Sequence, residues 1–172
     1  PGIEADALRS LKAPGQAYDN RMFGKDPQPD HMSKFAHMPD TDEGDNGGVH
    51  INSGIPNKAF YLTATGIGGF AWEAPGHIWY EALKASSART QFQAFADTTY
   101  FKAEELYGAG STEQQAVLAA WGEVGIRISG IPLGAAARVN EDGLIALTRQ
   151  IDALSAQVTA LAADVQAFTK GT

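Results

Sequence analysis

Asp45-Asn46-Gly47-Gly48-Val49-His50-Ile51-Asn52-Ser53-Gly54 runs directly into Ile55-Pro56-Asn57-Lys58-Ala59-Phe60-Tyr61-Leu62. The junction divides a loop-rich first third from a helical remainder. Upstream, Pro14, Gly15, Pro27, Pro29, Pro39, Gly44, Gly47 and Gly48 punctuate the chain. An ordered loop region of that length is unusual unless function requires it. A short helical turn is expected over Asp6–Leu11. Downstream, the spacing predicts a helix opening near Ile55 or Pro56 and running to about Thr65, before Gly66, Gly68 and Gly69. A second starts at Pro75 with Ile78, Trp79, Ala82 and Leu83 on one face. A third, capped by Ser87 or Thr90, runs through Phe92 and Leu106 to Gly108. Ser111 or Thr112 caps a fourth that buries Val117, Leu118, Trp121 and Val124. Phe60, Leu62, Trp79, Phe92, Phe95, Tyr100, Leu106 and Trp121 are the expected core. The fold class is mainly α: a loop-rich N-terminal segment, a domain of four to five helices, and an extra C-terminal helix.

That last helix follows an irregular linker or short hairpin over Ile126–Val139. Leu144, Ile151, Val158 and Val165 occupy a positions of a heptad, and Leu147, Leu154, Leu161 and Phe168 occupy d positions. Mostly β-branched a positions with leucine-rich d positions favour a parallel two-stranded coiled coil. The flanking positions Gln150, Gln157, Asp164, Thr148, Ser155 and Ala162 carry almost no complementary charge, so partner choice is weakly specified. The helix either folds back on its own domain or joins two copies as a homodimer through residues 144–168. The expected domains are 1–128 and 129–172.

The chain has 172 residues, 44% of them apolar and 19% charged, with a net charge of −7. These values place it with globular proteins rather than disordered ones. Acidity and the lack of a basic stripe argue against nucleic acid, and no run of 18 apolar residues suggests a membrane span. Cysteine is absent, which excludes thiolate zinc sites, disulfides and cysteine nucleophiles. Pro1-Gly2-Ile3-Glu4 lacks the features of a signal peptide and reads as a cut edge.

Candidate chemistry centres on His50. An imidazole has a useful proton near neutral pH and, in a site, its second nitrogen needs a fixed partner. Asp45 is a suitable partner, leaving the other nitrogen to face developing negative charge. His50 is expected to act while neutral, with Asp45 fixing its tautomer. A purely structural histidine–aspartate pair is the alternative. Gly47 and Gly48 permit a sharp turn or close backbone approach. The Arg9 fork can hold a carbonyl or brace a carboxylate, and Asn52 can hold the loop through its amide. His31, His37, His50 and His77 are the only histidines. None forms a His-Glu-x-x-His pair, so zinc held by this chain alone is not expected. Calcium could use Asp6, Glu4 and carbonyls near Ile3. Gly66-Ile67-Gly68-Gly69 lacks the context of a phosphate loop, and Ser53 lacks a nucleophile elbow.

Residues 1–126 resemble the C-terminal helical domain of thermolysin-like metallopeptidases, especially the protealysin-like branch. The resemblance runs through Ala7-Leu8-Arg9-Ser10, Asp26-Pro27, Asp30-His31-Met32, Asp45 to Gly54, Asn57-Lys58-Ala59 and Leu106-Tyr107-Gly108. It implies a neutral zinc endopeptidase that prefers a large apolar residue on the amine side of the cut. His50 would then donate to the oxyanion, Asp45 would orient it, and Arg9 would hold a substrate carbonyl. Leu8 would line the pocket for the apolar side chain, and Ile3 and Asp6 would contribute to a calcium site. Zinc and its general base would sit in a missing N-terminal catalytic domain, the implied partner besides a polypeptide substrate. The isolated chain should therefore be inactive. Secretion is implied for most of the family, and a cytoplasmic location for some of the protealysin-like branch. The alternative reading is a non-catalytic assembly module self-associating through its C-terminal helix.

Overall fold

The structure, a computed structural model, describes residues 7–129 together with Ser155 and Val158. The chain divides into two units, Pro1–Ile131 and Pro132–Thr172, and the first carries the architecture below. The expected heptad helix lies outside the described residues, apart from Ser155 and Val158, which are helical and exposed. No helix among the described residues is long and apolar enough to cross a membrane.

The N-terminal stretch contains a two-stranded antiparallel ribbon, β1 (Asp19–Asn20) and β2 (Gly24–Lys25), and a 3₁₀ turn at Met32–Lys34. Five helices follow: α1 (Asp45–Asn52), α2 (Gly54–Ile67), α3 (Ala74–Lys84), α4 (Phe92–Tyr107) and α5 (Thr112–Glu123). The mainly helical class is thus observed. The helical turn expected over Asp6–Leu11 is absent from residues 7–11. Ser10 Oγ instead accepts from the Ala13 amide at 3.0 Å. Such local side-chain bonds compete with helix formation.

Helix ends follow capping chemistry where side chains can reach. Ser111 caps α5 by accepting from Gln114 N at 3.2 Å. Gln114 returns its Oε1 to the Gly110 amide at 2.7 Å and donates to Glu104 Oε2 at 2.9 Å, tying α5 to α4. Ser87 and Thr90 do not cap α4. Their hydroxyls close the preceding turn, with Ser87 N donating to Thr90 Oγ1 at 2.8 Å, and Gln91 takes the cap position without a side-chain bond.

The core sits where α2, α4 and α5 meet, with α3 packed on α2 and α4. Ile55, Ala59, Ile78, Ala96, Ala103, Val117, Trp121 and Val124 are fully buried, and Leu118, Ile126 and Ile128 nearly so. Small residues on α2 and α4 let the helices approach, while the expected Leu106 is exposed. The other aromatic residues expected there pack around the core, partly buried. Trp121 stacks on Trp79 at 6.1 Å and meets Phe95 edge-on at 6.2 Å. Aromatic pairs in these arrangements stabilise beyond the area they bury.

The irregular N-terminal segment is fastened to this core at several places, Lys58 Nζ donating to Asp30 Oδ2 at 3.2 Å among them. Met32 N donates to Val124 O at 2.9 Å beyond the end of α5. At Gly54 the start of α2 closely approaches two parts of the N-terminal stretch. A Cβ there would meet Pro29 O at 2.5 Å and the Gln28 and Pro14 side chains at 3.0 Å, so only glycine fits.

Trp121 Nε1 donates to buried Thr99 Oγ1 at 2.8 Å. Thr99→Val should therefore leave the indole N–H without a partner in a filled core. Equilibrium urea unfolding should show a loss of about 1–3 kcal/mol with an unchanged slope.

Candidate active site

The site is built on an unusual first turn of α1. Asp45, Asn46, Gly47 and Gly48 all have positive φ, at 56°, 48°, 79° and 78°. Four left-handed residues in succession form one turn of opposite hand before the chain reverts to right-handed helix. For residues bearing a Cβ this costs roughly 1–2 kcal/mol each, with Asp and Asn the best tolerated. The turn is held by its own hydrogen bonds. Asn46 N donates to Thr41 O at 2.8 Å, Gly47 N to Pro39 O at 2.9 Å, and Gly48 N to Gly44 O at 3.0 Å.

This reversal brings Asp45 back over His50. Asp45 Oδ2 accepts from the His50 main-chain N–H at 2.8 Å, and Oδ1 pairs with His50 Nδ1. The Asp45 side chain is 23% exposed and that of His50 is 74% exposed. The hydrogen bond from the His50 ring is the main cause holding the Asp45 carboxyl below its ordinary 3.8, aided by the His50 amide. An ionised carboxylate only accepts, so the proton between them belongs to Nδ1. A neutral His50 would then have a bare Nε2, which accepts and cannot donate. With Asp45 ionised, Nε2 is a donor only in the imidazolium. Nε2 makes no hydrogen bond among the described residues.

Arg9 converges on the same residue from the N-terminal stretch. Its Nη1 donates to the His50 carbonyl oxygen at 3.0 Å, and its neighbour Leu8 is 62% exposed. Gln28, not singled out in the sequence, and Ser53, weighed there only as a nucleophile, share that oxygen. Gln28 Nε2 donates to it at 2.9 Å and Ser53 Oγ at 2.8 Å, and Gln28 Nε2 also reaches Ser53 Oγ at 2.9 Å. Gln28 lies between Pro27 and Pro29 in a segment with no apolar period, so no pattern marks it. Asp26 fixes that segment, accepting from the amides of Gly15, Ala17 and Gln28 at 2.9–3.1 Å.

Asn52 is buried and works inward. Its Oδ1 accepts from Ala36 N at 2.8 Å and its Nδ2 donates to Ala36 O at 2.9 Å, so one amide completes the backbone pairing of Ala36. Gly48 lies against it. A Cβ on Gly48 would meet Asn52 Nδ2 at 2.9 Å and Met38 Sδ at 3.0 Å, whereas one on Gly47 meets nothing within 4 Å. Ile3 and Asp6, the expected calcium positions, lie outside the described residues. Among the described residues, no group of three or more His, Cys, Asp or Glu side chains is arranged to hold a metal. The residues present do not fit a zinc site.

Residues 1–126 match the model of the thermolysin metallopeptidase α-helical domain, and the chain belongs to that family. It corresponds to the C-terminal helical domain of thermolysin- and protealysin-type zinc metalloproteases. It is similar to Protease PrtS of Photorhabdus sp. (strain Az29), at 46% identity over 129 residues, covering 74% of this chain and 34% of that protein. It is also similar to an extracellular metalloprotease of Pectobacterium carotovorum subsp. carotovorum, at 42% identity, covering 74% of this chain and 35% of that protein. Among solved structures, the precursor of protealysin from Serratia proteamaculans superposes with a TM-score of 0.64 at 49% identity. That match covers 73% of this chain and 38% of the other. The chain thus spans about a third of the length of the curated relatives named here.

Gly47→Ala should cost only the left-handed backbone penalty, about 1–2 kcal/mol. Gly48→Ala should cost more, because Asn52 must also be displaced. Paired chemical unfolding curves measure the difference, and equal losses would contradict the Asn52 contact.

Asp45 and Asp30 both have lowered carboxyl values, and for Asp30 the leading cause is the hydrogen bond from Lys34, at 2.7 Å. Their stabilisation is complete above the unfolded value of 3.8 and disappears as pH falls through the folded values. Asp45→Asn should flatten this acid limb in melting temperature recorded against pH.

Proposed function

We propose that the chain supplies one wall of the catalytic cleft of a secreted zinc endopeptidase. The convergence of Asp45, Arg9 and His50 carries this reading: one carboxylate fixes the ring, and the arginine is seated on the same residue's carbonyl. The family match supports a peptidase, and extracellular relatives support secretion. Zinc, the general base and the rest of the cleft are assigned to protein outside this chain, because its described residues do not fit the metal. The domain proposed for this task is 1–128. Calcium bound through Ile3 and Asp6 belongs to the same proposal.

In this reading, His50 enters as an imidazolium. Its Nε2–H donates to negative charge developing on the scissile carbonyl oxygen, while Nδ1–H stays on Asp45. The donor is already oriented, so little reorganisation accompanies the reaction. Arg9 directs an N–H at a backbone carbonyl of the bound polypeptide and fixes its register. Exposed Leu8 offers apolar surface to a large apolar side chain on the amine side of the cut. The chain by itself hydrolyses nothing.

The test is His50→Ala in the enzyme carrying both domains. Removing one such donor typically costs about 10²–10³-fold in kcat. The expected result is a loss of that size with KM unchanged. A rise in KM at constant kcat would show uniform binding instead and overturn the role.

A further inference from the structure

The His50 carbonyl oxygen accepts three hydrogen bonds, from Gln28 Nε2, Ser53 Oγ and Arg9 Nη1, at 2.8–3.0 Å. A carbonyl has two lone pairs. Gln28 and Ser53 already satisfy them from within the fold, and Gln28 is 4% exposed. Arg9 is the surplus donor and the exposed one. Gln28 holds this position at a cost, since its Oε1 is buried without a partner among the described residues. A carboxamide kept half-satisfied inside a protein is unfavourable unless its other half has a task.

We propose that Gln28 is a positioning residue, acting with Ser53 to saturate the His50 carbonyl so that Arg9 can leave it for a substrate carbonyl while both lone pairs of that oxygen stay occupied. Arg9 is thereby parked beside the imidazole and released at low cost. This rests on the peptidase reading above. It adds that substrate capture by Arg9 depends on a buried glutamine that touches no substrate. Deleting either internal donor makes Arg9 necessary to the carbonyl and pins it there.

The experiment compares the ¹⁵N-labelled full chain with its Gln28→Met and Ser53→Ala variants. Methionine keeps the volume of Gln28 and removes the orphaned oxygen, so folding should be retained. Rotation about the Arg9 Nε–Cζ bond, read from side-chain ¹H–¹⁵N line shapes, should be about tenfold slower in both variants. The Trp121 indole resonance and the far-ultraviolet circular dichroism should be unchanged. Unchanged Arg9 rotation in a folded variant overturns the proposal. If Gln28→Met fails to fold, Ser53→Ala decides, since its lost hydroxyl leaves the packing intact. In the enzyme carrying both domains, Gln28→Met should raise KM and leave kcat intact. A fall in kcat with KM held would make Gln28 a support for the imidazole and reject the release of Arg9. The rotation measurement requires no catalysis, so its outcome is separable from that of His50→Ala.

Discussion

The Asp45 carboxylate is the constraint on which the site depends. It receives two hydrogen bonds from one residue, through the main chain and the ring of His50. The first fixes where the histidine stands and the second fixes how it faces. Both require the aspartate to double back over the helix that follows it, which an ordinary right-handed turn does not permit. The left-handed run over residues 45–48 supplies that reversal. Backbone bonds to Pro39, Thr41 and Gly44 hold the run, and Asn52 braces it from beneath through Ala36 and, at 3.4 Å, Gly47 O.

The helical core serves this arrangement by giving it a rigid floor. α2 begins at Gly54, directly after the site, and its first turn is clamped among Pro14, Gln28 and Pro29. That helix packs along α5, where Trp121 gathers Trp79, Phe95 and Thr99. An exposed imidazole and an exposed guanidinium thus stand on backbone with little freedom. This is the condition under which fixed donors stabilise developing charge.

Much of this was legible in the chain. Proline and glycine mark both ends of α2, the start of α3 and the end of α4, and Ser111 announces its cap because Gln114 follows at the right distance. The Asp45–His50 spacing with two intervening glycines identified the pair. What escaped had physical reasons. Ala59, Ala96 and Ala103 are fully buried, yet a ranking by size favours the large aromatics around them. Ile126 and Ile128 are buried from an irregular segment with no period to reveal them. Asp45 and Asn46 at positive φ follow from tertiary bonds rather than from propensity. Which nitrogen of His50 meets the carboxylate is set by the reversed turn, and spacing alone does not specify that.

The clamp at Gly54 also bears on how such a chain can vary. Connections without regular structure ordinarily absorb insertions and deletions. Here the segment containing Pro14, Gln28 and Pro29 is wedged against the start of α2, so a changed residue count between those contacts would lever that edge apart. The turns after Ile67 and Lys84 carry no such wedge, and stacked Phe70 and Trp72 stand in solvent there. Length polymorphism in this architecture should therefore accumulate at the helix–helix corners and spare the coil that resembles an ordinary loop.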